Sequence, residues 1–368
     1  MIKILVLDVV DACNLTCAAC PRGRRAMRNT RHTMPWERFR AILDKASAEG
    51  IREINLYNWG EPFLHPDIAR LVRAVKDAGM RAEISTNLSL KRMDSLLPTL
   101  EAGLDRLIVS ISGVTQATHG INHRGSSMAT VFGHLERLAQ ARQAGRVQTD
   151  ILVRYLHFSY NSGEIDEAQR LARDWGFAFE LLDACGDPLL VAQDGTDGIQ
   201  DGTDGIQDGT DGIQDGTDDI QDGTDDMQDD AQHTAPPAIC RPDPDRICAA
   251  VRHVAVVDAW GMAYLCCVKP SMAPYRLGAY LDLTLPELTR RMHAHPACAA
   301  CDWPRVPATR EERMMLQGKT PTPLDRCYGR RVQYPLQRAR ELWRREGLVP
   351  MARTLFRKLI QAFPTRGK

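Results

Sequence analysis

Between Ile2 and Leu182, short apolar runs alternate with longer segments whose apolar residues recur every three or four positions. Compact runs of Val, Ile and Leu read as strands buried on both faces, and the three-to-four recurrence reads as amphipathic helix. The strands predicted in this way are Ile2–Val10, Ile51–Asn58, Met80–Thr86, Leu104–Ser112, Val147–Leu156 and Phe177–Leu182. The helices are Pro35–Glu49, Pro66–Ala78, Lys91–Glu101, Met128–Ala144 and Gly163–Trp175, with a looser helical piece after Leu182. Gly50, Gly79, Gly103, Gly145 and Gly176 punctuate the helix ends, where the left-handed turn that stops a helix suits a residue without Cβ.

Strand–helix alternation of this length implies a parallel sheet, and right-handed crossovers curl such a sheet toward a barrel. Six units are fewer than the eight of a closed barrel. The fold class expected for residues 1–185 is therefore α/β, a partial (β/α)6 barrel of the TIM type. Polar and chemically active residues gather where the chemistry of such barrels sits, at the C-terminal strand ends. Cys13–Cys20 follow the first strand and Trp59-Gly60-Glu61-Pro62 the second. Ser85-Thr86-Asn87 close the third, and Ser110-Ile111-Ser112-Gly113 the fourth.

Residues 193–227 are five tandem heptads of the form Gln-Asp-Gly-Thr-Asp-Gly-Ile. One apolar residue in seven buries no core, and the like charges expand the chain. The stretch 186–238 is expected to be a disordered acidic linker. The seven-residue period also differs from that of calcium-binding β-roll repeats. Beyond it, residues 239–330 form a small cysteine-rich α+β region. His253–Ala259 and Met262–Cys266 alternate around Trp260-Gly261, which predicts a hairpin delivering Cys266. In residues 331–368, Met351, Leu355, Leu359 and Phe363 recur every four residues among many arginines, a basic amphipathic helix able to pack on the barrel or lie on an anionic membrane.

Composition changes this picture in two ways. The net charge is zero, yet residues 193–230 hold 14 Asp and no Lys or Arg, leaving 47 basic against 33 acidic residues elsewhere. A basic body favours anionic partners, although no nucleic acid is expected here. Eleven cysteines, without a secretory leader or an apolar span, favour metal ligation in a cytoplasmic protein over a disulfide scaffold.

The decisive chemistry is the loop Cys13-Asn14-Leu15-Thr16-Cys17-Ala18-Ala19-Cys20. Three thiolates this close converge on a soft metal centre and leave a four-iron cluster one ligand short. The CxxxCxxC spacing resembles the signature of the radical S-adenosylmethionine (SAM) superfamily. Cys248, Cys266 and the pair Cys298-Ala-Ala-Cys301 form a second four-thiol set, suited to 4Fe–4S or zinc. That region resembles the auxiliary-cluster domains of the SPASM and twitch enzymes. Pro307 stands where the full SPASM pattern has another cysteine, so a single twitch-type cluster fits better. Cys240, Cys267 and Cys327 are further candidate ligands, and Cys185 reads as a buried thiol.

The resemblance implies a 4Fe–4S cluster on Cys13, Cys17 and Cys20 with SAM at its open iron. Reductive cleavage then yields a 5′-deoxyadenosyl radical that abstracts hydrogen from substrate. By the same resemblance, Gly60 and Glu61 hold the methionine ammonium, Ser85, Asn87, Ser110 and Ser112 contact SAM, and Arg124 pairs with its carboxylate. Ala19 stands where the family carries an aromatic residue near the adenine, so adenine contacts must come partly from elsewhere. His119, His123 and His157 read as loop or core histidines. The catalytic residues stay unassigned. The expected partners are a small polar, sugar-like substrate or, alternatively, a peptide, with a flavodoxin or ferredoxin as electron donor. A non-catalytic iron–sulfur or zinc scaffold is the rival of another class.

Overall fold

The structure, a computed structural model, describes residues 2–27, 29–184, 188–191, 246–248, 251–298, 301 and 305–307. The heptad linker, the C-terminal helix, Cys185, Cys240 and Cys327 lie outside the described residues.

Six strands follow one another in the first half: β1 (Ile4–Leu7), β2 (Glu53–Asn55), β3 (Arg81–Thr86), β4 (Arg106–Ile111), β5 (Asp150–His157) and β6 (Ala178–Asp183). They pair parallel in chain order, from Ile4 opposite Glu53 to His157 opposite Asp183. Between them run α1 (Trp36–Ala48), α2 (Ile68–Asp77), α3 (Leu96–Glu101), α4 (Gln116–Asn122), α5 (Met128–Gln143) and α6 (Ile165–Asp174), with the short α7 (Pro188–Val191) after β6. This is the partial (β/α)6 barrel that the alternation predicts. The five helix-stopping glycines all adopt positive φ, between 69° and 100°, as a left-handed C-terminal turn requires.

Two elements differ from expectation. The third helix starts at Leu96 rather than Lys91, which puts Pro98 in the first turn, where a missing N–H costs no helical bond. The helix α4 was not foreseen. It is seven residues long and opens on Thr115, whose side chain accepts the Thr118 N–H.

The core packs α1, α2, α5 and α6 onto one face of the sheet. Leu5, Leu7, Phe39, Ile42, Ile54, Val72, Ile84, Val109, Leu135 and Val153 belong to one continuous buried cluster. Each such side chain contributes about 1.5–3 kcal/mol by leaving water. Strand alternation turns Asp8, Tyr57, Ser85 and Ser110 to the opposite face, the one left for chemistry.

The second half joins the same sheet. The predicted hairpin forms as β8 (Val254–Val257) and β9 (Met262–Tyr264), after β7 (Arg246–Cys248). Strand β8 pairs parallel with β1, Ile4 opposite Val254, and β10 (Arg276–Ala279) continues the order antiparallel to β9. The result is one sheet of nine strands, with β10 and β6 at its edges. Local patterning could not reveal this pairing, because an apolar strand carries no record of its neighbour. The helix α8 (Leu285–Ala294) follows, and β11 (Arg305–Pro307) pairs with β7 away from the main sheet. No helix among the described residues is long and apolar enough to cross a membrane.

Candidate active site

The ends of the first five strands meet over one cavity of about 280 Å3. Cys13, Cys17 and Cys20 line it, together with Gly60, Glu61, Ser85, Asn87 and Ser110. Tyr57, Trp59 and Phe158 bring aromatic surface to the same space, where the loop offers only Ala19.

The cysteine loop is held from several sides. The Thr16 and Ala18 amides donate to the carbonyls of Arg124 and Asn122, at 3.1 and 2.9 Å. The Ala19 amide donates to Asn122 Oδ1 at 3.0 Å, and the Cys13 amide to Asn29 Oδ1 at 3.2 Å. Gly23 lies so close under the loop that a Cβ there would stand 2.2 Å from the Cys17 carbonyl oxygen. Arg22, 5% exposed, pairs with Asp11 at 2.8 Å and donates to the Trp59 carbonyl at 2.9 Å, tying the loop to the end of the second strand.

That strand end is shaped by Asp8, which sequence reasoning passed over. Its buried carboxylate accepts the amide protons of Asn58, Trp59 and Gly60 at 2.9 to 3.1 Å. Burial, against those hydrogen bonds and the Arg22 charge, raises its pKa to about 6. At Gly60 a Cβ would stand 2.3 Å from the Val10 carbonyl oxygen, so only glycine fits. The one available signal was a lone acid inside an apolar strand.

Glu61 is 2% exposed and accepts from Thr86 Oγ1 at 2.7 Å and from the Asn87 and Phe63 amides at 2.9 and 3.2 Å. No cation figures among the groups that set its acidity, and burial raises its pKa to about 7. Asn87 reaches from the third strand end to the loop, donating to Asn14 Oδ1 at 3.0 Å and contacting Cys13 Sγ at 3.7 Å. The hydroxyls of Ser85 and Ser110 stand 3.5 Å apart.

Ser112 and Arg124 sit elsewhere than the resemblance implied. Ser112 is fully buried behind the cavity, its hydroxyl 2.7 Å from His123 Nδ1. The Arg124 side chain is exposed, and its backbone carbonyl holds the cysteine loop. Instead His123, read from sequence as a loop or core histidine, lines the cavity.

A metal–sulfur cluster with SAM fits these residues. Burial pushes the Cys13 thiol up to about 12, and Cys17 rises too through burial and the neighbouring thiols. These two thiols become thiolates only against strong positive charge, which a metal centre supplies. No three His, Cys, Asp or Glu side chains among the described residues gather as the ligands of one ion. Cys13, Cys17 and Cys20 line one cavity, where a multi-iron cluster would sit. Glu61 offers a buried carboxylate with no cation, and Asn58 Nδ2 and Trp59 Nε1 are buried donors without a partner, so a ligand with both a cation and acceptors suits the space.

The radical SAM superfamily model matches residues 7–168. That span runs from β1 into α6 and contains every residue just described. Residues 7–168 are a radical SAM domain. The family implies a 4Fe–4S cluster and SAM, in keeping with the donor set. An AdoMet-dependent heme synthase of Methanosarcina barkeri is 27% identical over 47% of this chain and 48% of its own. A probable GTP 3′,8-cyclase of Methanocaldococcus jannaschii is 25% identical over 50% and 59%. A PqqA peptide cyclase of Ruegeria pomeroyi is 29% identical over 30% and 29%. The chain thus spans between 29% and 59% of the length of these curated relatives.

Outside the radical SAM domain, the second cysteine set is partly assembled. Cys248 ends β7 opposite Arg305, so β7–β11 pairing sets it beside the segment that follows Cys301. The charges of Cys248 and Cys301 both act on the Cys266 thiol, whose pKa rises mainly by burial. Cys267 is pushed up to about 11 in the same neighbourhood. Cys298 Sγ faces the Met292 carbonyl at 3.4 Å.

Proposed function

We propose that the protein is a radical SAM enzyme that abstracts hydrogen from a small polar molecule and oxidises or rearranges it. What carries the reading is the convergence of three thiols, a buried cation-free carboxylate and two unpartnered donors on one cavity at the strand ends. The cluster and SAM, when bound, supply the electron, the open iron and the 5′-deoxyadenosyl radical. Cys13, Cys17 and Cys20 would ligate the cluster. Glu61, itself buried, would pair with the methionine ammonium in a charge-assisted hydrogen bond. Asn87, Ser85 and Ser110 offer hydrogen bonds to the remaining polar atoms of SAM. Trp59, Tyr57 and Phe158 offer the aromatic faces on which an adenine can stack.

A second cavity of about 450 Å3 supports a small polar substrate. It opens between the cysteine loop and the hairpin turn and is lined by Asp8, Asp11, Asp258, Arg22 and Arg276. Asp8 and Arg22 line this second cavity and also hold the backbone of residues 58–60, which lines the first. A volume of this size suits a metabolite rather than a folded partner. The named relatives are a heme synthase, a GTP cyclase and a peptide cyclase, so their names select no one substrate. Cys248, Cys266, Cys298 and Cys301 would hold an auxiliary 4Fe–4S cluster able to take an electron from the substrate radical. The test is anaerobic turnover with SAM, reductant and site-deuterated candidates: deuterium in the 5′-deoxyadenosine identifies the substrate. Label transfer only from peptides would replace the small-molecule reading by the SPASM one.

A further inference from the structure

His119 on α4 and His123, which caps the C-terminal end of that helix, stack in parallel at the cofactor cavity, with ring centroids 4.3 Å apart and an interplanar angle of 2°. Both are buried, His119 entirely and His123 to within 3%. One arrangement of protons satisfies all the hydrogen bonds around them. The Ser112 amide donates to His119 Nδ1 at 3.3 Å, so His119 carries its proton on Nε2 and donates it to Ser126 Oγ at 2.9 Å. Ser126 in turn bonds Ser89 Oγ. The Ser112 hydroxyl donates its single proton to the His119 carbonyl at 3.3 Å. Its oxygen is then free to accept from His123 Nδ1 at 2.7 Å. His123 is accordingly protonated on Nδ1 and bare on Nε2. Burial and the adjoining His119 ring hold its pKa well below the usual histidine value, so the ring is neutral.

One face of His123 is taken by His119 and its Nδ1 by Ser112. His123 lines the cavity with Cys17, Cys20 and Ser110, and Nε2 is the ring nitrogen left to meet a ligand. The surrounding frame is rigid. Asn161 Nδ2 donates to the Ser112 carbonyl at 3.0 Å, and Glu164 accepts the Val114 and Thr115 amides at 2.6 and 3.2 Å at the start of α4.

We propose that His123 is a SAM-binding residue whose bare Nε2 accepts a hydrogen bond from a hydroxyl or amino group of SAM, and that Ser112 is the positioning residue that sets its tautomer. The inference rests on the radical SAM reading of the cavity. The resemblance puts Ser112 at SAM directly; in the structure His123 stands between Ser112 and the cavity.

The test is equilibrium titration of SAM into anaerobically reconstituted full-length protein, with equal iron loading and melting temperature checked for each variant. His123→Phe keeps the ring stack and removes Nε2, and is expected to weaken SAM binding about tenfold, the loss of one good hydrogen bond. His123→Gln restores an acceptor at that reach and is expected to recover most of the affinity. Ser112→Ala is expected to weaken binding in the wild-type background and to change nothing in the His123→Phe background, because it acts only through the ring. Unchanged affinity in His123→Phe, or additive effects of the two substitutions, overturns the proposal. Failure of the wild-type protein to bind SAM overturns the radical SAM reading itself, a distinct outcome.

Discussion

Asp8 Oδ1 accepts the Gly60 amide proton at 3.0 Å, so the residue that follows the first strand shapes the end of the second. Asp8→Ala leaves three half-buried amides without their acceptor and is expected to destabilise the domain by about 2–4 kcal/mol, at 1–3 kcal/mol for an unsatisfied group with partial relaxation. Asp8→Asn adds a test by pH. The folded carboxyl, at about 6, ionises later than the unfolded one, near 3.8. Its contribution to stability is therefore fully present below pH 4 and lost as pH rises through 6, about 3 kcal/mol at roughly 1.4 per unit. Melting curves at pH 5 and 7.5, at equal cluster loading, should lose this slope in Asp8→Asn.

Glu61 predicts a pH dependence for SAM itself. With a pKa raised to about 7 by burial, Glu61 is protonated below neutrality and cannot pair with an ammonium. SAM affinity should rise as pH climbs from 6 to 7.5, with binding at pH 6 weaker by about tenfold. It should fall again above pH 8, as the amino group of SAM loses its proton. Glu61→Gln should bind weakly and show no rise. A rise of equal size in Glu61→Gln would remove Glu61 from the ammonium site.

The glycines under the cysteine loop predict loss of iron without loss of a ligand. A Cβ at Gly23 or Gly60 would meet main-chain oxygen at 2.2 or 2.3 Å, and neither position can yield without moving the loop. Gly23→Ala should fold but retain much less iron after reconstitution, measured by iron and sulfide content per chain. Full iron retention would mean that the loop has more freedom than its contacts suggest.

The second thiol set predicts that iron persists when the first is removed. In a Cys13/Cys17/Cys20→Ala variant, at least one full four-iron complement per chain should remain. Less than that would contradict ligation by Cys248, Cys266, Cys298 and Cys301, and zinc in its place would redefine the site.

The strands and helices that build the cavity were legible in sequence because each is locally determined. The buried run at β1, the amphipathic recurrence in α1 and α2 and the glycine stops need no knowledge of distant residues. The three thiols, Glu61, Ser85, Asn87 and Ser110 were legible because they fall at successive strand ends. What escaped depends on contacts across the chain. Asp8 looks like any acid at a strand end until three amides 50 residues away turn to it. α4 is too short and too polar to announce itself, so His123 could not be placed in the cavity wall and Ser112 was put there in its stead. The parallel pairing of β8 with β1 spans some 250 residues, with nothing local to specify it.

The central claim is that this cavity cleaves SAM. Reconstituted protein with a full cluster, given SAM and dithionite without oxygen, should form 5′-deoxyadenosine, and the Cys13/Cys17/Cys20→Ala variant should form none. A fully loaded wild-type protein that binds SAM yet yields no 5′-deoxyadenosine would contradict the account and leave an iron–sulfur scaffold in its place.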